Sequence, residues 1–97
     1  MDANRLDELR RDGRMRWLPG AHAWSARPDD VMDALAREGY AECKREIARR
    51  GPEPSGGVWQ GLDTRTGSTA SAVWVRRPAN DDTIVFIEID GRPIVDE

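Results

Sequence analysis

Residues 28–50 read PDDVMDALAREGYAECKREIARR, and this stretch supplies the helical half of the expected fold. Pro28 at a first helical position gives up no hydrogen bond, and Asp29 and Asp30 face the positive end of the macrodipole. Met32, Leu35, Ala36, Tyr40, Cys43 and Ile47 then recur at helical spacing. Lys44, Arg45, Arg49 and Arg50 crowd the far end, where cations suit the negative pole, and Gly51-Pro52 ends the run. The reading is a helix over 28–50. Gly39 in its interior costs about 1 kcal/mol relative to Ala, so the run is either one kinked helix or two shorter ones.

Downstream, PEPSGG at 52–57 is a connection, and three β-type runs follow at 58–62, 69–77 and 83–90. Turn-rich DTRTGS and PANDD separate them, and Asp90-Gly91 begins a tight turn into Ile94 and Val95. Residues 58–95 are expected to form an antiparallel β-meander of three to four strands packed on the long helix. Upstream, Asn4, Asp7 and Glu8 with Leu6 and Leu9 predict a two-turn helix over 4–12. The alternation Arg14, Met15, Arg16, Trp17 suits an edge strand before the Pro19-Gly20 turn, and the region 14–27 is otherwise unassigned.

The expectation is one α+β domain over 1–97. Ninety-seven residues at 38% hydrophobic and 34% charged close a single core, and a net charge of −3 is too small to hold the chain open. One cysteine, Cys43, allows no internal disulfide, which suits a reducing cytoplasmic setting. No export signal or membrane span is legible. Residues 52–97 carry four Arg against eight acids, so the back of the chain is acidic.

The second hairpin is expected to pair Arg77 with Thr83, so that Val75 meets Val85, Val73 meets Ile87 and Ser71 meets Ile89 on the core face. Trp74 would then stand opposite Phe86 on the other face. A first hairpin closing around Arg65-Thr66 puts Val58 beside Val73 and Trp59 beside Ala72. Trp59, Trp74 and Phe86 would form one aromatic row. Either the segment 15–24 covers that row, or it is an exposed docking patch rimmed by Glu88, Asp90 and Arg76.

Candidate chemistry is sparse. His22 and Cys43 are far apart in sequence, and Cys43 reads as a buried thiol on the helix stripe. No His or Cys pair has metal-ligand spacing, and Asp81 and Asp82 lie in a turn. Glu88 and Asp90 share a strand face without other catalytic features, and SGG at 55–57 lacks the helix and Lys of a phosphate loop. No cofactor, metal or enzymatic activity is therefore expected. The composition points to a small, acidic, bacterial-type inhibitor, such as a toxin-immunity or antitoxin-like protein, that covers a partner's active site. Its partner-binding residues would be Trp59, Trp74, Phe86, Glu88, Asp90, Asp81 and Asp82, meeting a basic protein such as a toxin or nuclease. The alternative is a small RNA- or DNA-binding domain using Arg10, Arg11, Arg14, Arg16 and Trp17. The acidity of the whole chain weighs against it.

Overall fold

The computed structural model describes residues 5–96. Two short helices, α1 (Arg5–Arg11) and α2 (Pro28–Arg37), accompany seven strands: β1 (Met15–Leu18), β2 (Ala23–Ala26), β3 (Ala41–Arg50), β4 (Glu53–Leu62), β5 (Thr69–Arg77), β6 (Asp82–Ile89) and β7 (Arg92–Pro93). All seven belong to one antiparallel sheet in the order β1-β2-β6-β5-β4-β3, with β7 also paired to β6. The expected edge strand is present as β1, and the first helix as α1; its Asn4 cap lies outside the described residues.

The meander of three to four strands on one long helix does not form. Helix α2 starts where Pro28 and the two aspartates require it, but it ends at Arg37. Gly39 is the reason: its φ of +113° is open to glycine and strained for other residues. A Cβ at Gly39 would lie 2.7 Å from the Arg65 guanidinium, which donates to the Glu38 carbonyl and to Asp63. The β4–β5 turn thus clamps the helix end.

Residues 41–50 are the edge strand β3, fully exposed along its length and paired with β4. Their helical propensity is overridden because β4, which carries Gly56, Gly57 and Gly61, needs a backbone partner for its outer edge. Lys44 and Glu46, two residues apart, form an ion pair at 3.1 Å, the same-face spacing of a strand. Six charged side chains on this strand blunt the sheet edge against further pairing.

The first hairpin has the expected register, Val58 opposite Val73 and Trp59 opposite Ala72. The second is one residue away from it: Arg76 meets Thr83 and Arg77 meets Asp82. A 3-10 turn at Pro78–Asn80, with Asp81 left-handed at φ 53°, makes the connection shorter than expected. The Arg77 guanidinium closes it with two bonds to Asp82, at 2.9 and 2.6 Å. A one-residue slip exchanges the faces.

The core face consequently carries Trp59, Ala70, Ala72, Trp74, Val85, Ile87 and Trp24, against Leu6 and Leu9 of α1 and Val31, Met32, Ala34 and Leu35 of α2. Small residues on β5 let α2 approach closely, and the large side chains beside it fill the remaining volume. Trp24 is 1% exposed, and its indole N–H donates to the Ile94 carbonyl at 2.9 Å. The segment 15–24 does not cover the sheet; it extends it.

Candidate functional site: the uncovered sheet face

With both helices on one side, the pleat points alternate residues of every strand to the other side. Register defines two adjacent apolar rows there. One contains Val58, Val73 and Phe86, and the next contains Val75 and Ile84, the latter buried, continuing through Ser25 to Arg16 on β1. Val73, Val75 and Phe86 are 39%, 43% and 40% exposed, far more than aliphatic and aromatic strand residues in a two-sided core. Leu62, further along β4, is also exposed.

Polar groups border the rows on the same face. Gln60, Ser71 and Glu88 stand opposite one another on one side, and the Arg77–Asp82 pair stands on the other. Arg16 and Glu46 mark the two lateral ends, on β1 and β3. Cys43 opens onto a depression of about 410 Å³ beside Gln60, Ser71 and Glu88. Its position corrects the expectation of a buried helical thiol: it is exposed at a bulge in β3, with its Sγ 3.5 Å from the Gln60 carbonyl.

The expected partner-binding residues do not converge. Trp59 is 2% exposed on the core face, and Trp74 lies half-buried on that same face over Gly57. Phe86, Glu88 and Asp82 lie on the uncovered face. Asp90, left-handed at φ 54°, accepts bonds from the Ser68 hydroxyl and the Thr69 amide, both at 2.9 Å. It is a turn clamp. Asp81 is exposed in the 3-10 turn, and Asp82 is bound by Arg77, which holds its carboxyl below the usual range.

The basic segment is largely occupied. Arg10 lies over the Trp24 ring at 5.3 Å and within 3.2 Å of Asp96, and Arg14 bonds Asp30 at 2.7 Å. Trp17 meets His22 and Trp24 edge-on, with centroids 5.2 and 5.1 Å away, so its ring belongs to an aromatic cluster. Arg11 is exposed on α1, while Arg16 points to the uncovered face, so the four arginines do not form one strip. His22, in the β1–β2 turn, is separated from Cys43 by the width of the sheet.

Among the described residues, no group of three or more His, Cys, Asp or Glu side chains could hold a metal ion, and no helix is long and apolar enough to cross a membrane. Val58, Val73 and Val75 were hidden from sequence reading because valines on an alternating strand are ordinarily assigned to the core. The counter-signal is the Ala70, Ala72 alternation with Trp74, a surface suited to receiving a helix. No family model, curated protein or solved structure matches this chain.

Proposed function

We propose that this chain is a protein-binding module that docks onto a partner through the uncovered face of its sheet. The observation that carries the reading is the apolar patch in which exposed Val73, Val75 and Phe86 stand beside half-buried Val58. Apolar surface removed from water contributes roughly 25 cal/mol per Å², and contiguous patches of this kind mark interaction sites. Phe86 is the aromatic anchor, and the polar border supplies a rim.

The finer form of the proposal is a small bacterial inhibitor of the toxin-immunity or antitoxin-like kind, which neutralises a protein by covering its active site. Such a function needs surface complementarity and no poised nucleophile or base. Glu88, which has no ion pair among the described residues, is the rim acid best placed to meet a basic partner.

The test is titration calorimetry of a co-purified partner against three proteins. Phe86→Asp is expected to weaken binding at least about a hundredfold, the scale of a hot-spot loss. Ala36→Asp, on the exposed side of α2, is expected to bind like the parent chain. Equal affinity of parent and Phe86→Asp would remove the uncovered face from the interface.

A further inference from the structure

We propose that the free edge of β1 is a second binding surface, one that adds an extended acidic peptide as a further strand. The sheet ends laterally at β1 and β3. Alternate residues of an edge strand direct their N–H and C=O groups outward, where only water or another strand satisfies them. At β3 that edge is broken by two register shifts, and its charges are engaged within the strand, Lys44 by Glu46 and Arg45 by Glu42. At β1 the register to β2 is unbroken from Met15 to Leu18. The Arg14 N–H donates to the Leu9 carbonyl at 2.9 Å, and beyond it, among the described residues, no backbone bond joins α1 to β1.

A depression of about 500 Å³ lies along this edge. Met15, Arg16 and Trp17 all border it although their side chains alternate between the two faces of the sheet, so it follows the strand's backbone and not one face. Arg10 and Arg11 of α1 form its far wall. The uncommitted charge here has one sign. Arg10 is held by Asp7 at 3.6 Å and by Asp96 at 3.2 Å. Arg11, from the helix, and Arg16, from the uncovered face, have no ion pair or hydrogen bond among the described residues; Arg16 acts on Asp82 through its field alone, and the bonded partner of Asp82 is Arg77.

These features define the occupant. Unpaired N–H and C=O groups require an extended backbone, and the two uncommitted arginines require carboxylates, because opposite charges on neighbouring strands stabilise their pairing. Arg11 and Arg16 flank the edge from opposite faces, and the side chains of an added strand alternate faces, so the two acids of the ligand are an odd number of residues apart, as in Glu-Asp. The same basic edge repels a copy of itself. Nucleic acid fits less well, since Arg14 is already bonded to Asp30 and Arg10 to two acids, and phosphate, which only accepts hydrogen bonds, leaves the strand's carbonyls unpaired. The site shares no residue with the Val73, Val75 and Phe86 patch and stands whether or not that patch docks a partner.

Two-dimensional NMR of the full chain, titrated with three probes, tests this. The probes are an acetylated, amidated eight-residue peptide of Thr and Val with Glu-Asp at its centre, the same peptide with Gln-Asn there, and an eight-nucleotide thymidine strand. The acidic peptide is expected to bind with a Kd of about 1 mM or tighter, shifting the amides of Arg10, Arg11 and Met15–Leu18. The Gln-Asn peptide should bind roughly twofold to thirtyfold more weakly, the loss of two exposed ion pairs. The double variant Arg11→Glu, Arg16→Glu should lose the preference for the acidic peptide. N-methylation of alternate peptide amides should abolish binding in one phase and spare it in the other, a readout that leaves the protein unchanged. The proposal is overturned by no shift at several times that concentration, by shifts away from β1, by equal affinity for the Glu-Asp and Gln-Asn peptides, by indifference to N-methylation in both phases, or by tighter binding of the thymidine strand.

Discussion

The Glu42 carboxylate accepts the indole N–H of Trp59 at 2.8 Å and at the same time holds the Arg45 guanidinium at 2.7 Å. One exposed side chain on the edge strand thereby ties the β3–β4 ribbon to a tryptophan in the core. The bulge at Cys43 makes this possible, since it brings Glu42 and Arg45 to the same side although they are three residues apart.

The first prediction concerns acid. Arg45 above all, and then Trp59, hold the Glu42 carboxyl below its ordinary value of 4.5. A carboxylate whose folded pKa is depressed stabilises the fold above its unfolded value, and that contribution is lost as pH falls through the folded one. Asp63, held down by Arg65, has the same sign. Urea midpoints at about pH 6 and about pH 3 should therefore differ less in Glu42→Gln than in the parent. Identical differences would mean that the Glu42 bonds are not formed in solution.

The second concerns the end of α2. Gly39→Ala introduces a Cβ against Arg65 and Asp63 at a φ of +113°. Denaturation should report a loss of about 1–2 kcal/mol. A neutral result would imply that the chain does not turn there.

The third concerns the core. Trp24→Ala should cost about 3–5 kcal/mol, a large share of the about 5–15 kcal/mol that holds a domain folded. Trp24→Phe keeps most of the apolar volume but strips the donor from the Ile94 carbonyl, and should cost about 1–3 kcal/mol. Equal losses would assign the whole effect to the bond and none to volume.

The fourth concerns the ribbon. A Cβ at Gly57 would lie 2.5 Å from the Trp74 indole nitrogen and 2.8 Å from the Glu46 carbonyl oxygen. Gly57→Ala must displace Trp74 or part β3 from β4, costing about 1–3 kcal/mol. Faster amide exchange confined to β3 and the start of β4 would locate the damage.

Several elements were legible in the sequence because local chemistry and tertiary demand agree. Pro28 with two aspartates starts α2, Arg14–Trp17 alternates as an edge strand should, and the Trp59–Ala72 pairing follows from the position of the DTRTGS turn. Strand β3 was not legible, since Glu42, Lys44, Arg45 and Glu46 favour a helix locally and only pairing with a glycine-bearing β4 selects the strand. The faces of β5 were not legible for a related reason. Hydrophobicity ranks Val73 and Val75 above Ala70 and Ala72, whereas the approach of α2 demands the smaller pair. The candidate site was therefore half readable: Phe86 and Glu88 belong to the uncovered face, while Trp59 and Trp74 serve the core.

The most direct measurement of that face's role is photo-cross-linking in cells with a reactive side chain placed at Val73 or, separately, at Ala36 on the exposed side of α2. The account predicts discrete protein adducts from Val73, absent from Ala36 and abolished by Phe86→Asp. Adducts from Ala36 with none from Val73 would contradict it and move the docking surface to the helices.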